Sequence, residues 1–344
     1  MGFKRNDYTI MTKIPLSVLE LATVTEGGNH QTAISNTVEI AKHTESLGYK
    51  RFWMAEHHNM EYIASSATSV LIGHVAGKTK TIRVGSGGIM LPNHSTLVIA
   101  EQFGTLETIY PNRIDLGLGR APGSDQLTSM ALRRNQETAQ DFPMDIRQLQ
   151  RYFSSKNQTA QVRAFPGEGL DIPLWILGSS TDSAYLAAEM GLPYAFASHF
   201  APAQFRAAIK IYRNNFKPSA VLAQPYVMAC VNVLAAETDE EANVLLSSLV
   251  RLFVGILTNN RKPLSPSGSF PESYNIPEVK NAVNNMLSCT FHGSKEILRN
   301  TLSAFIDETG IDELMVASHI FDLDAKLKSF SILSEALNVD FVSN

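Results

Sequence analysis

Four short stretches carry residues whose types and spacing could do chemistry. Glu56-His57-His58 closes the apolar run RFWMAEHH. Neighbouring strand residues point to opposite faces, so His57 and His58 do not readily share one metal ion. HExxH and a strand-end HxH are both absent, which favours a histidine working as general acid, general base or hydrogen-bond donor. A structural histidine tied to a neighbouring loop is the plainer alternative. Gly87 and Gly88 interrupt the run IRVGSGGIM. Paired glycines weaken a strand unless backbone or ligand must pass close. A planar ring lying on bare backbone and a bulge in a tight sheet both satisfy that condition.

Arg120 follows Asp115-Leu-Gly-Leu-Gly at the end of a third apolar run. A dinucleotide fingerprint fails here, because G-x-G-x-x-G would need glycine where Pro122 stands. An arginine just past two glycines is suited to a phosphate. Gly178-Ser179-Ser180-Thr181-Asp182-Ser183 follows a further run and opens a helical pattern. Hydroxyls and free N–H groups at a helix start form an anion site, although plain N-capping needs only one of them. Arg120 and this loop leave consecutive strands, so one phosphate could touch both.

The elements that must position these groups alternate along the chain. Strand-like runs occupy 16–24, 51–58, 82–90, 114–121, 173–180, 194–200, 225–235 and 312–318. Helical spacing fills 32–47, 64–79, 96–110, 183–190, 295–309 and 324–337, with glycine at Gly48, Gly191 and Gly310 before the next strand. Eight βα units without a halfway break predict an α/β fold, a (β/α)8 TIM barrel. A doubly wound sheet is the alternative. Two connections are too long for plain βα loops. One, 122–171, carries a helical stretch around 127–153; the other, 237–293, carries a helix near 239–257 and a Pro- and Ser-rich stretch at 259–278. Both follow strands and are therefore expected as insertions on the C-terminal face, the second either as a cover over the site or, equally, as a disordered surface insertion. Residues 1–344 read as one domain, with 1–13 a loose N-terminal arm.

Composition excludes several classes. Hydrophobic residues make up 44% and charged residues 18% of 344, with a net charge of −4, so no polyanion partner such as nucleic acid is indicated. No apolar run approaches a membrane span, and the start lacks a signal-peptide core. Cys230 and Cys289 stand far apart outside any CxxC pattern, which suits a reducing, cytoplasmic setting.

Taken together, FWMAEHH, VGSGGIMLPNHS, RIDLGLGRAPG, GSSTDSAYLAAEMGLPYAFASHF and DELMVASHI resemble the bacterial luciferase-like family of flavin-dependent monooxygenases, from Leu16 to about Leu337. The resemblance implies a barrel fold and a site for FMN. By position, His57 matches the active-site histidine beside the reactive edge of the flavin. Gly87 and Gly88 match the pair whose backbone lies against the ring, often through a cis peptide. Arg120 matches a phosphate arginine, and Ser180 and Ser183 match hydroxyls closing around the phosphate, with the backbone of Gly178, Ser179 and Ser180 contributing. Arg133 or Arg134 matches a second phosphate arginine, and Glu56 a retained carboxylate.

The implied activity is a two-component monooxygenase. A separate NAD(P)H:flavin reductase would supply reduced FMN, which with O2 oxygenates a small organic substrate. The family also implies a homodimer. Two alternatives accompany this reading: an oxidoreductase using the deazaflavin F420, and a non-catalytic flavin-binding protein. Gly119 stands where the light-emitting enzyme has a reactive cysteine, which argues against light emission. Few charges in the mouth-lining blocks, with Met54, Met90 and Phe196 near strand ends, suggest an apolar or aldehyde-like substrate.

Overall fold

The computed structural model describes residues 14–121, 125–134 and 139–337; the expected arm at 1–13 lies outside them. Parallel strands β1 (Leu16–Glu20), β2 (Arg51–Met54), β3 (Arg83–Met90), β4 (Ile114–Gly119), β5 (Leu174–Gly178), β6 (Tyr194–Phe196) and β7 (Val227–Ala235) pair in sequence order. β9 (Glu313–Ala317) lies between β7 and β1 and closes the ring, so eight parallel strands form a barrel. The eight runs read from sequence are these eight strands. They are buried on both faces, as a sheet wrapped by helices must be.

The helices that wrap it include α1 (His30–Ser46), α2 (Thr68–Ala76) and α3 (Thr96–Ile109). In α1, the side chain of Asn29 accepts from the Thr32 N–H at 2.9 Å, and the chain turns out through Gly48 at φ 77°. Past β4 come α4 (Gln126–Ala131) and α5 (Phe142–Phe153). α6 (Thr181–Met190) and α7 (Phe205–Asn215) follow β5 and β6. The excursion after β7 carries α8 (Asp239–Leu257) and α9 (Pro277–Met286), and α10 (Lys295–Thr309) and α11 (Leu323–Leu337) flank β9. None of the described helices is long and apolar enough to cross a membrane.

One strand departs from the sequence reading. β8 (Thr290–Gly293) pairs with the far half of β7, Asn232 opposite Thr290, outside the barrel ring. At four residues, TFHG is too short and too polar to show a strand period. β7 runs on past the barrel rim and offers it an edge.

The alternation of strand side chains divides the interior into two cores. Leu19, Trp53, Trp175, Met228, Cys230, Met315 and Ala317 pack inside the barrel. Val18, Phe52, Met54, Ile72, Phe103 and Phe196 pack between barrel and helices. Met54 and Phe196 therefore point away from the mouth. That is a correction, since Trp53 takes the inward position beside Met54 and Ala195 the one beside Phe196. Met90 does approach the mouth side of β4, since a Cβ on Gly119 would meet its Cε at 2.7 Å.

Candidate active site

The C-terminal ends of β2 to β5 bring the sequence-derived residues to one side of the barrel mouth. Past β2, the Glu56 carboxylate is 2% exposed and gathers an unusual number of donors. His58 Nε2 lies at 2.8 Å and His94 Nε2 at 3.0 Å, while the Met90 N–H donates at 3.1 Å and Asn93 Nδ2 at 3.2 Å. Burial alone would raise its pKa. The hydrogen bonds from His58, His94 and Met90 more than offset that, and the carboxyl is held down at about 2. Spacing alone sets aside a metal shared by His57 and His58, but His94 arrives from a different strand. Glu56, His58 and His94 bring ligand atoms within 4.8 Å of one another. The same atoms are already matched as hydrogen bonds, two imidazole N–H groups on one ionised carboxylate.

His57 takes the opposite side of the chain from Glu56 and His58. Its N–H donates to the Ser65 carbonyl at 3.3 Å, tying the strand end to the loop before α2.

Gly87 and Gly88 are joined by a cis peptide, and the register between β3 and β4 shifts between Ser86 and Ile89. A Cβ on Gly87 would stand 2.7 Å from Leu19 Cδ1, and one on Gly88 2.2 Å from Leu177 Cδ1. The Gly117 carbonyl, 2.7 Å from a Cβ on Gly88, is backbone and cannot give way, so the bulge itself requires glycine at 88, while at 87 the neighbour is a movable leucine methyl. Ser86 locks the bulge by donating to the Gly117 carbonyl at 2.8 Å and accepting from the Gly117 N–H at 3.0 Å.

Arg120 and the 178–183 loop do converge. Arg120 Nη2 lies 3.3 Å from Asp182 Oδ2 in the first turn of α6, both side chains more than half exposed. Gly178 is required there, because a Cβ would fall 1.7 Å from Ser183 Oγ. Ser180 occupies the N-cap position without using its side chain as a cap. Ser183 Oγ donates to the Ser180 carbonyl at 2.8 Å and lies 2.9 Å from the Tyr194 hydroxyl, so this hydroxyl shapes the loop from within. Ser179 is exposed.

Of the two candidate second arginines, Arg134 is the one that turns back to the site. Its guanidinium donates to the Arg120 carbonyl at 2.7 Å and to Asn93 Oδ1 at 3.0 Å. Arg133 sits at φ 58°, the left-handed turn that sends the chain round. A continuous hydrogen-bonded path therefore runs from His58 through Glu56, Asn93 and Arg134 to Arg120.

Sequence reasoning missed a second set of groups at the mouth. His199, four residues past the inward-facing Ala195 of β6, and His319, two past Ala317 of β9, are buried at 9% and 8% exposure. Burial, together with His319 and His57 nearby, lowers the His199 pKa to about 3. Burial and Lys326 lower that of His319 to about 4, against a smaller pull from Glu20. The signal was present in the chain: the tripeptide Ala-Ser-His occurs twice, at 197–199 and 317–319, each time where a strand run ends.

Comparison with known proteins agrees with this architecture. The luciferase-like monooxygenase family matches residues 14–313. A luciferase-like monooxygenase of Escherichia coli K12 is 49% identical over 320 residues, covering 93% of this chain and 96% of that one. The uncharacterised YvbT of Bacillus subtilis is 51% identical over 321 residues, again 93% of this chain and 96% of its own. The crystal structure of apo-MsnO8 superposes with a TM-score of 0.84 at 33% identity, covering 95% and 99% of the two chains. The chain belongs to the luciferase-like monooxygenase family.

Proposed function

We propose that this protein is an FMN-dependent monooxygenase of the two-component type, working in the cytoplasm with a separate NAD(P)H:flavin reductase and as a homodimer. One observation carries the reading: Arg120, Arg134 and the N-terminus of α6 meet at one side of the mouth. Two guanidiniums and the positive end of a helix are the donor set of a phosphate monoester. The Arg120–Asp182 pair is exposed and weak, so a phosphate dianion can displace the carboxylate.

The residues present fit FMN. Arg120, Arg134, Ser180, Ser183 and the backbone of Gly178 and Ser179 would hold the phosphate, and the Gly87–Gly88 backbone would support the ring. Reduced FMN, when bound, supplies the electrons with which O2 is activated for insertion into the organic substrate. The remaining work belongs to the chain. The His57 imidazole holds and passes the proton, at a position fixed by its backbone bond to Ser65. Residues 237–293 form the cover that keeps water out. Leu264 in that segment accepts from the Glu26 N–H at 2.8 Å and donates to the Val24 carbonyl at 3.0 Å, stitching it to the loop past β1.

The test is an anaerobic titration with reduced FMN and with reduced F420, followed by oxygen uptake with a flavin reductase present. Reduced FMN is expected to bind, and Arg120→Ala to weaken it about 10- to 100-fold as a charge-assisted contact is lost. Preference for F420 overturns the cofactor. Tight FMN binding with no oxygen uptake makes the chain a flavin carrier. In His57→Ala, FMN affinity should persist while consumed oxygen appears as hydrogen peroxide; an unchanged product yield removes His57 from the mechanism.

A further inference from the structure

Across the mouth from the phosphate side, the inward-facing positions end in a cluster that no step above uses. Strand alternation places it. Cys230 and Ala317 face the barrel interior, and two residues further on come Asn232 and His319. His199 stands four past the inward-facing Ala195, and it interacts electrostatically with both His57 and His319. These groups therefore crown the barrel interior above a layer of small apolar side chains, Ala55, Cys230 and Ala317, flanked by Leu21 and Leu177.

Asn232 is fully buried, and its two amide atoms are distinguished by their partners. Nδ2 donates to the His199 carbonyl at 2.5 Å and to Thr290 Oγ1 at 3.2 Å. The His199 carbonyl can only accept, which fixes the amide NH2 on that side and Oδ1 on the other. Asn232 Oδ1 and His199 Nδ1 are both buried and find no hydrogen-bond partner among the described residues. A buried polar group left unmatched carries its full desolvation cost, so two in one wall of a mouth favour a ligand that matches them. Oδ1 only accepts, so that ligand must bring a donor. The near cation is already used, since Lys326 Nζ lies 2.6 Å from Glu20 Oε2. Burial holds His199 and His319 neutral at pH 7, so neither brings a charge that would compensate an anion.

We infer that Asn232, His199 and His319 form the subsite that receives the polar end of the organic substrate, and that this end is an uncharged group with a hydrogen-bond donor, a carboxamide or hydroxyl on an apolar chain, and not a carboxylate. The inference rests on the proposed oxygenation of a small molecule at this mouth and names its chemical class. It adds a polar end to the apolar substrate read from the sequence, for which Met90 approaches the mouth while Met54 and Phe196 face the helices.

Three probes of equal length separate the features: hexanamide is neutral with a donor, methyl hexanoate is neutral without one, and hexanoate is charged without one. Their binding to the purified protein, with and without FMN, is read by ligand-observed NMR. Hexanamide should bind about tenfold tighter than methyl hexanoate, the worth of one matched hydrogen bond, with hexanoate weakest. Asn232→Val and His199→Gln should bring hexanamide down to the ester's affinity. A flat ranking in the wild type overturns the subsite, as does hexanoate binding best, and neither depends on a variant folding. Unchanged hexanamide binding in both variants overturns it too. FMN affinity in the same samples separates the two claims: FMN bound with a flat ranking sinks the subsite alone, and the expected ranking without FMN binding sinks the cofactor alone.

Discussion

The two ends of the barrel interior are both polar and differ in how that polarity is used. At the N-terminal end, Arg51 Nη1 lies 2.7 Å from Asp115 Oδ2 and its Nε 3.0 Å from Glu313 Oε1. Arg83 reaches Asp115 at 2.8 Å, Trp53 Nε1 donates to Asp115 at 3.1 Å, and the Tyr226 hydroxyl donates to Glu313 at 2.8 Å. Every carboxylate there is saturated, and the Arg51 guanidinium is also stacked 4.8 Å over the Trp175 ring, whose indole N–H is left without a hydrogen-bond partner among the described residues. At the C-terminal end burial holds His199 and His319 neutral, and His199 and Asn232 keep hydrogen-bonding atoms unmatched within the described residues. One end is a closed plug that holds strands together. The other holds polarity in reserve for something that enters, as expected of the face where barrels place their chemistry.

Breaking the closed end should have the largest effect. Arg51→Ala takes from two buried carboxylates the guanidinium they share, leaving Asp115 with Arg83 and Glu313 with Lys50, and should cost about 3 kcal/mol in urea unfolding at pH 7. His199→Gln at the open end should cost less than about 1 kcal/mol, since the group it alters makes few protein bonds. Equal losses in the two variants would erase the contrast.

Acid sharpens the comparison further. In the fold His199 takes a proton only near pH 3 and His319 near pH 4, against 6.5 in the unfolded chain. Between those values the unfolded chain binds more protons, so stability is complete above 6.5 and falls as pH drops through the window. Each histidine contributes a slope of about 1.4 kcal/mol per pH unit there. The groups facing them are His57, Lys326 and Glu20, with Lys326 pushing His319 down and Glu20 pulling it up. His199→Gln should flatten the stability profile between pH 6 and about 4. An unchanged slope would show that this imidazole is not held neutral.

How much of this was legible in the chain depends on how locally each feature is encoded. Barrel strands announce themselves because each is a contiguous apolar run ending in glycine or polar chemistry, as 114–121 does. β8 was illegible because four mixed residues become a strand only against the overhang of β7. Asp115 read as part of a glycine-rich motif, yet its partners Arg51 and Arg83 stand on other strands, and Glu313 joins through barrel closure. His199 and His319 lie 120 residues apart, and only the ring sets them side by side; the repeated Ala-Ser-His was their trace. Gly88 shows the reverse, a conspicuous position whose requirement for glycine already follows from the Gly117 carbonyl, 2.7 Å from where a Cβ would stand.

Between the two ends in effect lies the Glu56 path. Glu56→Gln removes the ionised acceptor that holds His58, His94 and Asn93, and should cost about 1–3 kcal/mol at pH 7. The wild-type contribution is present above pH 4.5 and lost as pH falls toward about 2, the reverse of a group that gains by protonation. FMN affinity should fall along with stability, because Asn93 and Arg134 link this carboxylate to Arg120. Retained affinity at reduced stability would separate the strand end from the phosphate arm.

The smallest effect belongs to the most exposed pair, and it has the opposite sign. Asp182 competes with a phosphate for Arg120 across 3.3 Å of largely solvated space. Asp182→Asn should leave unfolding unchanged, since exposed pairs of this kind contribute about 0–1 kcal/mol. FMN should bind about two- to fivefold tighter, as Arg120 is released and a negative charge is removed from the start of α6. The gain should shrink with added salt, because screening acts on exposed charges at this range. Weaker FMN binding in this variant would mean that Asp182 orients Arg120 for the phosphate and does not compete for it, and the open end of the barrel would then be pre-organised on its rim as the closed end is around its carboxylates.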